Sequence, residues 1–172
     1  MSEPPLPDLG EVEAAVGAAI RARSSDGVRL LGHGEISIVL GWPADQPQHA
    51  LKRVPPFRDD ASAVRYIDVC QRFFAILEQA GVSVLPTTLH RTTRANGSVV
   101  VYHRQPVADP AQMGLNVLRA ATPSPDHPLL GAIVEHVAAV CRPDEVGFDV
   151  QIANWLWDGT VAHQLDFTSP FL

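Results

Sequence analysis

The stretch Leu31-Gly32-His33-Gly34-Glu35-Ile36-Ser37-Ile38-Val39 sets two glycines in a turn between apolar flanks, and what surrounds it decides the fold. From 28 to 42 apolar and small residues alternate around those glycines, which predicts strand, tight turn and strand. A strand rather than a helix after the glycines disfavours a dinucleotide-binding fingerprint. Glycine lets a backbone approach a phosphate closely, and a strand-turn-strand can lay its amides over a triphosphate. By itself, however, a glycine-rich hairpin is more often only a hairpin.

Upstream, the first ten residues are rich in proline and read as loose. A helix over 11–23 follows, with Val12, Val16 and Ile20 at helical spacing. Downstream, a short strand over 49–54 is closed by Pro55-Pro56. Ala63, Ile67, Cys70, Phe74 and Leu77 then recur every three or four residues, which predicts a long helix over 60–80, with Asp59 and Asp60 at its start and Gly81 at its stop. Strands are expected at 82–85 and 98–103, helices at 110–121 and 128–141, and a terminal hairpin at 155–157 and 161–165 around Asp158-Gly159. Strands in adjacent runs rather than βαβ units make this an α+β fold.

With 172 residues, 46% of them apolar, the chain can form one domain or two unequal lobes. The formal charge of −6 lacks the basic stripe of a nucleic-acid binder. No apolar run reaches the roughly 18 residues of a membrane span, and the start has no signal core, so the cytoplasm is the expected location. Cys70 and Cys141, far apart on predicted helix faces, read as buried reduced thiols.

Two further segments carry candidate chemistry. Lys52 sits among Ala50, Leu51 and Val54 in a half-buried strand, where an ammonium must lift clear of the apolar layer or meet an anion. A surface lysine on an edge strand is the plainer reading. Asp149 and Asn154 interrupt the apolar run Val146 to Trp157, and Asp166 follows twelve residues after Asn154 at the end of the next strand. Loop capping would explain each alone, and a divalent metal bridging phosphates would explain them together.

In order, Gly-x-Gly-x-x-Ser-x-Val, Ala-Leu-Lys, Asp-x-x-x-x-Asn and Leu-Asp-Phe resemble the protein-kinase and aminoglycoside-phosphotransferase superfamily over residues 28 to 168. The resemblance implies a kinase-like two-lobed fold, with an antiparallel N-lobe sheet, one long helix and an incomplete helical C-lobe. It divides the chain into 1–26 (extension and helix), 27–105 (N-lobe and hinge) and 106–172 (partial C-lobe). It further implies ATP and Mg2+ as cofactors and a hydroxyl on a small molecule or peptide as acceptor. Gly32 and Gly34 would cover the phosphates, Lys52 would contact the inner ones, and Val39 and Ala50 would pack on the adenine. Asp149 would act on the acceptor hydroxyl, Asn154 and Asp166 would hold the metal, and 101–105 would be the hinge. Asp68 is expected to pair with the lysine, with Glu78 second.

Departures from the family pattern favour an atypical kinase. Ser37 replaces the third glycine, Thr168 makes a flipping activation segment doubtful, and no His precedes Asp149 at the protein-kinase place. Ending at Leu172, the chain is expected to be a truncated form, completed by a missing segment or a partner chain. A non-catalytic kinase-like binding module is the competing expectation.

Overall fold

The computed structural model describes residues 4–34, 36–141, 147 and 149–166. Its chain forms two compact units, Met1–Ile67 with Pro86–Val107, and Asp68–Leu85 with Ala108–Leu172.

In the first unit, α1 (Leu9–Ala22) begins where the Asp8 carboxylate accepts a hydrogen bond from the Gly10 amide at 2.7 Å, an N-cap that satisfies one of the orphan donors of the first turn. Strands β1 (Arg29–His33), β2 (Ile38–Trp42), β3 (His49–Arg53), β4 (Thr88–Thr93) and β5 (Val99–Gln105) form an antiparallel sheet in the order β1-β2-β3-β5-β4. A bulge between Leu30 and Gly32 brings Gly32 opposite Val39. The register continues from Val39 to Lys52, His103 and Leu89, so these five residues form one row across the sheet. Neighbouring rows point to opposite faces because side chains alternate along each strand.

One face therefore carries Leu40, Leu51, Val100 and Tyr102, which pack on Leu9, Val12 and Val16 of α1. The other carries Val54, Val99 and Val101, which pack on Ala63, Tyr66 and Ile67 from the start of α2 (Asp60–Gln79). On the α1 face the Glu13 carboxylate accepts from Arg53 Nε and Nη2 at 2.9 and 2.8 Å and from the Tyr102 hydroxyl at 2.6 Å, with Arg94 at 3.2 Å. Burial works to raise the Glu13 carboxyl, but the bonds from Arg53 and Tyr102 and the charges of Arg53 and Arg94 outweigh it, and it stays below its ordinary value.

The second unit gathers Phe73 and Leu77 of α2, Val82, the buried face of α4 (Pro128–Val140) and the hairpin of β6 (Trp155–Trp157) and β7 (Ala162–Gln164) around one core. A short α3 (Gly114–Ala120) lies against the chain before β6. A Cβ at Gly114 would stand 2.8 Å from the Ile152 carbonyl oxygen and 3.1 Å from that of Trp155, so only glycine fits this approach.

The α+β class is as expected, and several details differ. Residues 82–85 form no strand: they make a single parallel bridge, Val84 to Gln164, because their amide partners are used in joining the hairpin. The strand missed from the sequence is β4, an exposed sheet edge whose threonines gave no apolar alternation. The span 110–121 divides into a 3-10 turn, Pro110–Gln112, and α3. Residues 101–105 lie in β5, where Tyr102, His103 and Arg104 are paired with strands on both sides and Gln105 is paired with Ala50. The start of the chain is tethered, since the Pro4 carbonyl accepts from Arg104. Cys70 is buried, whereas Cys141 is exposed just past the end of α4.

Candidate functional site

In the first unit the glycine hairpin and the lysine belong to one surface by construction of the sheet. Gly32, Val39 and Lys52 lie side by side in the row just described, and Ala50, two residues before Lys52, faces the same way. Lys52 is 7% exposed, and it is the sole lysine among 172 residues, the other basic side chains all being arginine. A chain that uses arginine at every other basic position keeps the slimmer ammonium at this buried one. Arginine's planar fork suits bidentate surface pairing, while an ammonium is a compact point charge.

The hairpin turn is closed by Gly34 N donating to Ser37 O at 2.8 Å. Ser37 is buried, and its hydroxyl would stand 3.2 Å from a Cβ placed on Gly34, so the serine at the third position fills the inside of the turn. Gly32 is different. A Cβ there meets nothing within 4 Å, and its φ lies outside the left-handed region. Neither packing nor backbone conformation asks for glycine at 32.

Beside Lys52 in the row, His103 is 1% exposed, and its Nε2 lies 2.8 Å from the Tyr66 hydroxyl. Tyr66 belongs to the stripe of α2 that packs on the sheet. Asp68 does not: it is exposed, more than a quarter turn round the helix from Ala63, Tyr66 and Ile67, and Glu78 is exposed as well. At 100° per residue, Asp68 falls outside the stripe formed by Ala63, Tyr66 and Ile67.

In the second unit Asp149, Asn154 and Asp166 are brought together. A 3-10 turn at Ile152–Asn154 curls the chain back, so that Asn154 Nδ2 donates to Asp149 Oδ2 at 2.8 Å while Asp149 Oδ1 accepts from the Gln151 amide at 3.1 Å. The Asn154 carbonyl accepts from the Leu165 amide at 2.9 Å, which fastens this loop beside Asp166. Gln164 Nε2 reaches the carbonyls of both Asp149 and Asp166, at 3.3 and 3.4 Å. Thr168, also singled out from the sequence, lies outside the described residues.

Hard-cation chemistry suits this donor set. With Nδ2 committed to Asp149, the Asn154 amide has an oxygen left to offer, and Asp166 adds a carboxylate, the hard donor that such a cation prefers. Among the described residues, buried Gln164 Oε1 has no donor. Among the described residues no group of three or more His, Cys, Asp or Glu stands together as a metal cage. Mg2+ commonly needs no such cage, taking one or two carboxylates with substrate phosphates and water.

Sequence reasoning missed Gln164 and the line Ser83–His163–Asp158, in which the Ser83 hydroxyl lies 2.8 Å from His163 Nδ1 and His163 Nε2 lies 3.2 Å from Asp158 Oδ2. The Asp158 carboxyl is held below its ordinary value by the amides of Val161 and Thr160 and by His163. That line fastens the β6–β7 hairpin to the segment before β4. The signal for Gln164 was slight: a glutamine next to His163 in a three-residue strand, two residues before Asp166.

Residues 11–172 match the family of unknown function DUF6206, and the chain belongs to that family. No curated protein matches it. Among solved structures it is similar to the PknI kinase domain of Mycobacterium tuberculosis, at 17% identity and a TM-score of 0.44, covering 83% of this chain and 60% of that one. It is also similar to the MAP kinase LmaMPK10 of Leishmania major, at 20% identity and a TM-score of 0.40, covering 91% of this chain and 51% of that one. The chain thus spans less than two thirds of the length of either. Among the described residues no helix is long and apolar enough to cross a membrane.

Proposed function

We propose that this chain carries the nucleotide-handling residues of an ATP- and Mg2+-dependent, kinase-like phosphotransferase of the cytoplasm, acting on a hydroxyl of a small molecule or peptide. The observation that carries the reading is the row Gly32–Val39–Lys52, which joins a glycine without a structural reason to the sole lysine. Supporting it independently is the hydrogen-bonded pair Asp149–Asn154 beside Asp166.

In this reading Gly32 and Gly34 lie over the phosphates, and Lys52 neutralises the inner ones. Val39 and Ala50 give the adenine an apolar floor. Asp149, steadied by Asn154, orients the acceptor hydroxyl and takes its proton as the acceptor oxygen bonds to the γ-phosphorus and the bond to the β,γ-bridging oxygen breaks, releasing ADP. Asn154 and Asp166 hold Mg2+, which when bound spreads the charge of the transferring group. The chemistry asks little of the protein beyond placing charges.

A second reading, a kinase-like module that binds nucleotide without transferring phosphate, is favoured by one observation: buried Ser37 stands in place of the third glycine of the turn.

Calorimetric titration with ATP and Mg2+ tests the nucleotide site. Binding is expected in the native chain and lost in Lys52→Ala and Asp166→Ala; heats unchanged by both would sink it. Gly32→Ala sharpens the test. The added methyl has open space in the fold, so stability should stay within about 0.5 kcal/mol while ATP binding weakens; unaltered binding would remove Gly32 from the site. Turnover with supplied hydroxyl acceptors separates the two readings, because binding without transfer supports the second.

A further inference from the structure

In β7 the Gln164 side chain is 2% exposed, and its backbone is pinned on both sides: its amide donates to Ser83 O at 2.8 Å and its carbonyl accepts from Leu85 N at 2.9 Å. The side-chain amide cannot swing away from the loops it touches. Its orientation follows from chemistry, since reversing it would set Oε1 against the carbonyl oxygens of Asp149 and Asp166, which accept and cannot donate. Nε2 therefore binds the two loops, and Oε1 is left buried with no donor among the described residues.

A buried acceptor without a donor is unfavourable, and in native folds such a group is commonly served by ordered water or an ion. An apolar side chain of the same length would leave no orphaned atom of its own, but it would take the donor from the Asp149 and Asp166 carbonyls. The amide does something that packing does not require. It links the backbone of the residue read as acting on the acceptor to the backbone of a residue read as holding the metal.

We propose that Gln164 is a positioning residue of the magnesium site: its N–H groups fix the Asp149 and Asp166 loops against each other, and its Oε1 accepts a hydrogen bond from water bound to the cation. The inference rests on the phosphotransferase reading and adds to it a residue on β7 that touches neither nucleotide nor acceptor. Outer partners that orient metal ligands commonly change metal affinity about ten- to a hundredfold when removed.

The test compares the native chain with Gln164→Met, which keeps length and volume, and Gln164→Glu, which keeps an acceptor but removes the N–H donors. Mn2+ serves as the probe, its binding in the presence of ATP followed by electron paramagnetic resonance. ATP binding in chelator is measured by calorimetry, and thermal unfolding is recorded for each protein. Mn2+ affinity is expected to fall about ten- to a hundredfold in both variants, with metal-free ATP affinity unchanged. A merely structural glutamine would lower the unfolding temperature and leave the ratio of metal-loaded to metal-free affinity as it was; that result overturns the proposal. Should Gln164→Met not fold, Gln164→Glu decides by the same ratio. A native chain that binds neither Mn2+ nor ATP refutes the phosphotransferase reading, and this inference with it. Native binding that both variants retain in full refutes this inference alone.

Discussion

Replacing Glu13 by Gln removes the one negative charge from a cluster otherwise made of Arg53, Arg94 and the Tyr102 hydroxyl. The carboxylate accepts at 2.9, 2.8 and 2.6 Å, and the Glu13 and Arg53 side chains are each 10% exposed. Removing one partner of a buried ion pair costs about 3–5 kcal/mol, because the other charge is left desolvated and uncompensated. Some exposure remains, and the new amide keeps one acceptor oxygen, which puts the expected loss at about 2–3 kcal/mol. At about 2–4 °C per kcal/mol for a chain of this size, the unfolding temperature should fall by roughly 5–10 °C in a calorimetric scan at pH 7. The effect has a pH signature. The folded Glu13 carboxyl lies below its ordinary value, so its contribution is complete above that ordinary value and is lost as pH falls through the lower folded one. Native and variant scans should therefore converge in acid, below the ordinary glutamate range. A shift under about 1 °C at pH 7, or one that persists undiminished in acid, would refute the view that Glu13 holds α1 to the sheet electrostatically.

Gly114→Ala drives a methyl against the Ile152 carbonyl, a backbone atom 2.8 Å away that cannot turn aside, and should destabilise the second unit by about 1–3 kcal/mol in a urea titration followed by tryptophan fluorescence. Asp59→Ala removes the carboxylate that accepts from the Ser62 amide at 2.8 Å at the start of α2, and the variant is expected to melt below the native chain by circular dichroism. Because the Ser62 hydroxyl and amide and then Arg58 hold Asp59 down to about 2, that difference should survive at pH 4 and fade only as pH approaches 2.

Much of the first unit was legible because its strands alternate and its long helix is periodic. The series Ala63, Ile67, Cys70, Phe74, Leu77 located α2 and also shows that Asp68 is out of phase with its buried face. β4 was hidden because an edge strand with threonine and arginine on its exposed positions carries no apolar period. Val82 to Leu85 misled in the opposite sense: its composition suits a strand, but tertiary contacts use it to fasten β7. Asp149, Asn154 and Asp166 could be picked out as polar residues in apolar surroundings, but their meeting depends on a 3-10 turn and on Gln164, neither of which has a periodic signature. The exposed Cys141 shows the limit of reading helix faces near a helix end, since it follows buried Val140 as the C-cap, where the backbone has left the helix.

Because Lys52 is the sole lysine, the central claim can be tested at a single atom. An acyl-phosphate derivative of ATP transfers its acyl group to an amine held beside the phosphates, and peptide mass spectrometry identifies which amine is modified. The account predicts modification of Lys52, prevented by excess ATP with Mg2+ and unaffected by excess of an unrelated anion. Lys52 left unmodified, or modified to the same extent with and without competing ATP and Mg2+, would contradict it.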